Sequence, residues 1–147
     1  MKRTIYFDMD GTIADLYGVT NWLNYLKEEN TLPYEIAKPL LRLSALAKIL
    51  NRLQREGFKI GIISWLSKNG TDEYNTAVTA AKENWLKKHL KSVQFDEIHI
   101  CNYGTPKVKY CNSKFDILFD DEEQNRNNWG GKAYDVNNIL EILKGIS

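Results

Sequence analysis

Two carboxylates lie two positions apart near the start of the chain, in the segment Asp8-Met9-Asp10-Gly11-Thr12. This segment directly follows an apolar run that predicts a β-strand. Because side chains alternate along an extended chain, Asp8 and Asp10 should project to one side and Met9 to the other. Like charges this close are tolerated when a cation lies between them or when one carboxyl keeps its proton. The segment therefore predicts a site for metal binding or proton transfer, and a solvated Asp-Gly turn is the plainer alternative.

Other groups capable of chemistry occur later in the chain. Ser64 and the pair Asp120-Asp121 each follow an apolar run, and Lys107 lies in a loop between them. Each is weak evidence by itself. A serine at a strand end is often a local cap, an acidic pair is often a solvated turn, and a loop lysine is often on the surface.

The elements that must position these groups alternate along the chain. Short runs predict five β-strands, at residues 4–7, 58–63, 98–101, 115–119 and 132–136. The first, second and fourth runs are nearly continuously apolar, as in parallel strands covered on both faces. Strands that alternate with helices favour an α/β fold with a Rossmann-like, doubly wound, mainly parallel sheet. Ligands of such sheets bind at the carboxyl ends of the strands, where these groups are expected.

Apolar residues recur at helical spacing between the predicted strands, and two such stripes predict the long helices. The members are Leu43, Leu46, Leu50 and Leu53 in the first stripe and Tyr74, Val78, Ala81 and Trp85 in the second. Gly57 is expected to end the first helix, and Thr71 or Asp72 to cap the second. Asn138, three residues before Glu141, predicts a capped last helix.

Length and charge exclude several classes of protein. A chain of 147 residues with 43% apolar and 27% charged side chains predicts one domain over residues 1–147. The formal charge of +1 excludes nucleic-acid binding by bulk charge. The basic start Met1-Lys2-Arg3 precedes too short an apolar run for a signal peptide or a membrane span, so a cytoplasmic protein without a membrane partner is expected. Cys101 and Cys111 fit two thiols in a reducing compartment.

In combination, these residues resemble the four sequence motifs of the haloacid dehalogenase-like (HAD) hydrolases. The Asp-x-Asp-Gly-Thr segment comes first, followed in order by the serine, the loop lysine and the Asp-Asp pair, so that the resemblance spans residues 8–121. Only the first motif is strongly specific, and the others gain force from their order and their places at strand ends. The resemblance implies a sheet with the first strand beside the fourth. It also implies a short helical cap insertion, here at about residues 16–44.

The resemblance further implies a Mg²⁺-dependent phosphomonoester hydrolase that works through an aspartyl-phosphate. Asp8 would be the nucleophile, and Asp10 the general acid and then the general base. The phosphate-binding residues would be Thr12, Ser64 and Lys107, and the Mg²⁺ ligands would be Asp8, the backbone carbonyl of Asp10, Asp120 and Asp121.

Two of these assignments leave alternatives open. Lys107 follows Gly-Thr-Pro as in the third motif and is preferred, but Lys109 and Lys114 lie close by in the sequence. Asp121 lies deeper in its loop than Asp120 and is expected to be the direct metal ligand, with Asp120 acting through water.

Three segments also resemble the 5′(3′)-deoxyribonucleotidase branch of the family, at residues 8–15, 83–89 and 118–121. This likeness implies a small phosphorylated substrate, either a nucleoside monophosphate or another small phosphate ester. The chain departs from that branch at Trp65, in a longer loop around Lys107 and in its short insertion. Such a small insertion predicts an open site, which either admits large substrates or is covered by another copy of the chain as a homo-oligomer.

Other classes of protein use similar residues. A receiver domain also places aspartates, a hydroxyl and a lysine around Mg²⁺, but its acidic pair comes early in the chain. A polynucleotide end-phosphatase is an alternative that the near-zero charge disfavours. A non-catalytic phosphate-binding protein of the same fold is a second alternative, disfavoured because Asp8 and Asp10 are both present. Trp65 would either stack on a base or pack in the core, and core packing is favoured.

Overall fold

The apolar runs of the sequence form a five-stranded sheet in the computed structural model, which describes residues 3–146. Met1, Lys2 and Ser147 lie outside the described residues, so the expectation about the basic start falls partly on them. The strands are β1 (Thr4–Phe7), β2 (Ala14–Asp15), β3 (Lys38–Pro39), β4 (Lys59–Trp65), β5 (Glu97–Cys101), β6 (Ile117–Phe119) and β7 (Lys132–Tyr134).

The large sheet has the strand order β5-β4-β1-β6-β7, and every neighbouring pair in it is parallel. Strand β1 therefore lies in the centre, between β4 and β6. From β1 the chain first builds the sheet outwards through β4 and β5, and then crosses to the other side to add β6 and β7. Strands β2 and β3 form a separate antiparallel pair. The predicted α/β, doubly wound fold is confirmed, including the first strand beside the fourth predicted one.

The helices are α1 (Trp22–Lys27), α2 (Leu32–Ile36), α3 (Leu43–Arg55), α4 (Asp72–His89), α5 (Glu123–Asn127) and α6 (Ile139–Lys144). Single 3₁₀ turns cover Leu16–Gly18, Lys107–Tyr110 and Val136–Asn138. Within residues 3–146, none of the helices combines the length and the apolar character that crossing a membrane requires. Cys101 and Cys111 are both free thiols.

Both predicted apolar stripes face the core. All four leucines of the α3 stripe and all four residues of the α4 stripe are buried. Gly57 follows α3 with a φ of 100°, a left-handed conformation that ends a helix at little cost for glycine. The Thr71 side chain caps α4 by accepting a hydrogen bond from Tyr74 N at 3.2 Å.

Several local predictions are wrong, and the last strand ends at Tyr134, not at residue 136. Strand β6 begins at Ile117, not at residue 115, because Phe115 is exposed and the buried Asp116 carboxylate accepts the N–H groups of Thr4 and Asn112 at 3.0 and 2.9 Å. Asn138 makes no side-chain cap on α6, since a 3₁₀ turn leads directly into that helix.

The core lies on both faces of β1. Ile5 and Phe7 pack with the leucines of α3 in the larger apolar cluster, while Tyr6 packs on the opposite face with Ile63 and Trp129. Because side chains alternate along β1, the strand is packed against the core on both faces of the sheet. Because β1 is fixed in this way, the residues that follow it leave the sheet in a defined direction.

The insertion between β1 and α3 forms a small wall beside the carboxyl end of the sheet. It holds α1, α2 and the first 3₁₀ turn, and its base is the β2–β3 pair. Glu29 ties it to the start of α4 by accepting hydrogen bonds from the N–H and hydroxyl of Thr71 at 2.9 and 2.7 Å. Tyr74 Oη also donates to Asn30 O at 2.9 Å. The insertion is therefore held against α4.

Candidate active site

The candidate site lies where β1 and β6 end side by side. Asp8 N donates to Phe119 O at 2.9 Å, and Asp120 N donates to Tyr134 O at 3.1 Å, so both aspartates continue the pairing of their strands. Their side chains leave the sheet at the same edge. This brings together the predicted first and fourth motifs, which are more than 100 positions apart in the sequence.

A tight turn directly after β1 aims the first two carboxylates. The carbonyl oxygen of Met9 accepts the N–H groups of Thr12, Ile13 and Ala14 at 3.1, 3.0 and 2.9 Å. The Met9 side chain is buried in the core, as the alternation predicts, while Asp8 and Asp10 both line a cavity. The turn therefore presents both carboxyl groups on one side.

Lys107 joins the two strand ends electrostatically. Its Nζ lies 2.9 Å from Asp8 Oδ1 and 2.7 Å from Asp120 Oδ2, and the lysine is almost fully buried. Burial favours loss of the ammonium proton, but the charges of the two aspartates outweigh it and raise the pKa of Lys107. Lys107 is therefore a permanent buried cation, while Lys109 is exposed.

Three carboxylates converge beside this lysine. One oxygen from each of Asp8, Asp120 and Asp121 lies within 4.8 Å of the others. Burial, followed by hydrogen bonding and repulsion from Asp8, raises the pKa of Asp121 to about 8. Burial and the charge of Asp8 also raise the pKa of Asp120 to about 6, against the opposing effect of Lys107. With all three carboxylates ionised, the cluster would carry more negative charge than Lys107 balances, so the metal-free cluster retains protons.

This donor set fits Mg²⁺. A hard divalent cation takes a few carboxylate oxygens with waters and substrate phosphate, and it would balance the excess charge. Asp120 has both oxygens engaged, by Glu122 N on Oδ1 and by Lys107 and Asn125 Nδ2 on Oδ2. Asp121 has fewer contacts, with Thr12 Oγ1 3.5 Å from its Oδ1 and a hydrogen bond to Asp8 within the cluster. This difference supports Asp121 as the direct ligand.

The carboxylate of Asp10 lies outside that cluster as it is formed by the described residues. Its Oδ2 accepts a hydrogen bond from Lys82 Nζ at 2.9 Å. Burial is the largest effect on it and raises the pKa of Asp10, with Lys82 acting in the opposite direction. A metal contact from Asp10 therefore has to come from its backbone carbonyl, as the resemblance implies, and that contact stays a prediction.

The two predicted hydroxyl groups lie at the site but are fully buried. Thr12 Oγ1 lies 3.1 Å from Asp8 Oδ2, and Ser64 Oγ accepts from Lys82 Nζ at 2.7 Å. Strand β4 also extends to Trp65, so Ser64 lies within the strand and not after it. Thr12 contacts Asp8, which lines the cavity, whereas Ser64 contacts Lys82, which does not. A direct phosphate contact from either hydroxyl stays a prediction.

Lys82 and Asn125 are residues of this site that the sequence did not point out, and Lys82 makes the larger number of contacts. It lies on α4 with 1% of its side chain exposed, on the same face as Val78 and Trp85. The signal was present in the sequence, because residue 82 falls four positions after Val78 and three before Trp85. A charge in the middle of an apolar stripe indicates a buried partner.

A cavity of about 580 Å³ opens over these groups, between the insertion and the loop after β4. The insertion supplies mostly apolar side chains, whereas Lys68 and Asn69 come from the loop. The aromatic residues that line the cavity are Tyr17, Trp22, Tyr34, Trp65 and Tyr103. The cavity therefore offers a flat, aromatic environment next to the carboxylates.

Core packing, favoured for Trp65 from the sequence, is wrong. The indole is half-buried and lines the cavity. Its Nε1 donates to Thr105 O at 2.8 Å, and its ring lies 5.4 Å from Lys107 Nζ and 5.1 Å from the ring of Tyr103. Trp65 thus supports the buried lysine from the cavity side.

Gly11 provides a direct test of how tightly the cluster is built. It has a φ of 79°, and a Cβ added there would collide with Asp121 Oδ2 and lie 2.8 Å from Asp121 Cγ. Gly11→Ala should destabilise the protein by about 1–2 kcal/mol from backbone strain and also displace Asp121. The matched control is Gly57→Ala, since Gly57 also has a positive φ but has open space around the added Cβ. Isothermal titration should show weaker Mg²⁺ binding for Gly11→Ala alone, and equal binding by both variants would contradict this packing.

Comparison with known proteins finds a structural relative, whereas neither a protein-family model nor a curated protein matches the sequence. The crystal structure of D,D-heptose 1,7-bisphosphate phosphatase from Burkholderia thailandensis superimposes with a TM-score of 0.57 and 11% identity, over 99% of this chain and 100% of that one. This chain shares the fold of that phosphatase. The HAD domain of the effector protein Lem4 from Legionella pneumophila also matches, with 16% identity, 91% and 84% coverage and a TM-score of 0.39.

Proposed function

We propose that this protein is a Mg²⁺-dependent phosphomonoester hydrolase that acts through an aspartyl-phosphate on Asp8. The observation that carries the proposal is the convergence of Asp8 with Lys107, Asp120 and Asp121 at the edge of a cavity that also exposes Asp10. The fold shared with a sugar phosphatase and the resemblance to HAD hydrolases support the same chemistry.

Asp8 has the surroundings of a nucleophile. Lys107 and Thr12 fix its two oxygens, which orients the carboxylate in advance of the reaction. In the first step an Asp8 oxygen bonds to phosphorus while the bond from phosphorus to the leaving oxygen breaks. Lys107 neutralises charge that develops on the phosphoryl oxygens, with Ser64 and Thr12 proposed as further phosphate contacts.

Asp10 has the surroundings of an acid and base. It lines the cavity beside Asp8, and burial raises its pKa, which favours the protonated form that a general acid needs. It gives that proton to the leaving oxygen. Afterwards its carboxylate takes a proton from the water that attacks phosphorus, which releases phosphate and regenerates Asp8. Bound Mg²⁺ would supply charge neutralisation and alignment of the phosphate, held by Asp8, Asp120, Asp121 and the carbonyl of Asp10.

The cavity favours a small phosphate ester with a flat leaving group. Its aromatic lining suits a nucleobase, since stacking on aromatic side chains stabilises bases by about 1–3 kcal/mol each. Nucleoside monophosphates are accordingly the proposed substrate class. Tyr17 and Leu23, which line the cavity, are about half exposed, and their coverage by a second copy of the chain in a homo-oligomer is part of the proposal.

A substrate panel tests the proposed activity. Phosphate release is measured with nucleoside monophosphates, sugar phosphates, 4-nitrophenyl phosphate and a 5′-phosphorylated oligonucleotide, in the presence of Mg²⁺ or EDTA. We expect Mg²⁺-dependent turnover with the highest kcat/KM for nucleoside monophosphates. A preference for the oligonucleotide would favour an end-phosphatase. No turnover of any substrate, with Mg²⁺ still bound, would overturn the proposal in favour of a phosphate-binding protein.

Mg²⁺ should stabilise the fold, and more so at higher pH. The raised pKa values of Asp120 and Asp121 mean that the folded, metal-free protein retains protons that the unfolded chain loses above its carboxyl pKa of about 4. The metal-free protein therefore loses stability as the pH rises from about 4 to about 8. Mg²⁺ replaces those protons, and at a hundred times its Kd it should add about 2.7 kcal/mol.

Thermal unfolding with MgCl₂ and with EDTA measures this effect at about pH 5 and about pH 8. Asp121→Asn should remove the Mg²⁺ effect, whereas Glu123→Gln, which changes an exposed carboxylate two residues away, should retain it. An equal Mg²⁺ effect in both variants would rule out Asp121 as a ligand.

A further inference from the structure

We infer that Lys82 is a positioning residue, which holds Asp10 and Ser64 in the geometry that phosphoryl transfer needs. The inference rests on the proposed function and adds to it a residue from α4, an element that carries none of the four motifs. It starts from the placement of a charged side chain where an apolar one would pack.

The burial of Lys82 is unusual for its position. Its neighbours on the same face of α4 are Val78, Ala81, Trp85 and Leu86, all buried. A buried ammonium group loses its hydration, and an apolar side chain of similar volume is often at least as stabilising at such a position. Packing alone therefore does not account for a lysine there.

The contacts of Lys82 match its hydrogen-bonding capacity. An ammonium group has three N–H donors, and Lys82 Nζ lies 2.9 Å from Asp10 Oδ2, 2.7 Å from Ser64 Oγ and 2.6 Å from Trp65 O. The ring of Tyr34 from the insertion covers the same group, with its centroid 5.2 Å away. Every donor is thus engaged, and two of the three acceptors belong to proposed catalytic or phosphate-binding residues.

These contacts leave defined atoms of both residues for the substrate. Asp10 Oδ2 is held by the lysine, so Oδ1 is the oxygen that carries the proton to the leaving group. Ser64 Oγ accepts from the lysine, so its own proton is not used in that contact, and we propose that it points to a phosphoryl oxygen once substrate is bound. In the transfer step the Asp8–phosphorus bond forms, the bond to the leaving oxygen breaks, and the Oδ1 proton moves to that oxygen. Lys82 keeps all its protons and faces the carboxylate that results.

A purely structural role would have different consequences. If Lys82 only stabilised the packing of α4 on β4, its replacement would lower kcat/KM by the same factor for every substrate, because it would change only the amount of folded enzyme. A residue that aligns the acid affects substrates in proportion to their need for an acid. Benzyl phosphate has a strongly basic leaving group, whereas 4-nitrophenol leaves with little help from an acid, and both substrates carry one aromatic ring.

The test measures kcat/KM for benzyl phosphate and for 4-nitrophenyl phosphate with Mg²⁺ in the wild type and in Lys82→Met. The value for benzyl phosphate should fall by about 100-fold more than the value for 4-nitrophenyl phosphate, since misplacement of a catalytic group by about 1 Å costs this much. The ratio of the two values is independent of the folded fraction. Lys88→Met, which changes an exposed lysine of the same helix, should leave the ratio unchanged.

A double-mutant cycle tests whether Lys82 acts through Asp10. If it does, Lys82→Met in an Asp10→Asn background should change the ratio by less than about twofold, because the group that it aligns is already lost. If Lys82→Met does not fold, Lys82→Arg takes its place in both measurements, since it keeps the charge but changes the position of the donors.

The outcomes separate this inference from the proposed function. Absence of turnover by the wild type would overturn both. Turnover by the wild type, with equal losses for the two substrates in the Lys82 variant, would overturn only the role of Lys82. Additive effects of Lys82→Met and Asp10→Asn would also overturn it.

Discussion

Replacement of Asp8 by asparagine is expected to reduce phosphate release to the uncatalysed background while the protein stays folded. The amide has nearly the same shape as the carboxylate but is too weak a nucleophile to form the covalent intermediate. It also removes one of the three converging carboxylates, whose hydrogen bond and charge add to the larger effect of burial in raising the pKa of Asp121. The variant also loses the ion pair between Asp8 and Lys107, which opposes this gain, although Lys107 keeps its contact with Asp120. The metal-free variant should therefore unfold at about the temperature of the wild type.

Steady-state phosphate release and thermal unfolding measured on the same preparation check this prediction. Asp72→Asn is the matched control, since Asp72 is an exposed carboxylate at the start of α4. It should keep both the activity and the unfolding temperature. Wild-type turnover in Asp8→Asn would exclude a covalent intermediate on Asp8.

Loss of the Lys107 charge is expected to damage both activity and stability. Lys107→Met removes the cation that contacts Asp8 and Asp120 and leaves two buried carboxylates without it. Removal of one partner from a buried ion pair typically costs about 3–5 kcal/mol. The variant also loses a group that neutralises charge in the transition state, so kcat should fall by about 10²–10³-fold.

Lys109→Met is the control for Lys107→Met and also decides between the two lysines that the sequence offered. Lys109 is exposed and lies only two residues away, so its replacement should change neither property by much. Denaturant unfolding and the kcat for 4-nitrophenyl phosphate distinguish the two variants. A larger loss in Lys109→Met than in Lys107→Met would show that Lys109, and not Lys107, is the phosphate-binding lysine.

The sequence predicted the framework of the site because strand ends are visible in it. An apolar run that stops at a charged residue defines the end of a buried strand, and parallel strands place their ends together. Asp8 and Asp120 could therefore be assigned to one edge without coordinates. Lys107 was predicted from its order in the chain, and its contact with both aspartates needed the structure.

Features that depend on side-chain direction could not be read from patterns. Lys82 interrupts an apolar stripe, but the sequence does not say what it meets across the core. Trp65 extends β4 by two residues beyond the predicted end and still reaches the cavity, because its indole turns towards Thr105. Asn138 has the spacing of a capping residue, yet the preceding 3₁₀ turn prevents that geometry.

The most direct test of the central claim is chemical trapping of the intermediate. Wild-type protein is mixed with excess 4-nitrophenyl phosphate and Mg²⁺, quenched within the first turnovers and treated with borohydride, which reduces an acyl phosphate to an alcohol. Peptide mass spectrometry should then find homoserine at position 8, dependent on substrate and on Mg²⁺. Rapid phosphate release with Asp8 unmodified, or with the label on another residue, would contradict the mechanism.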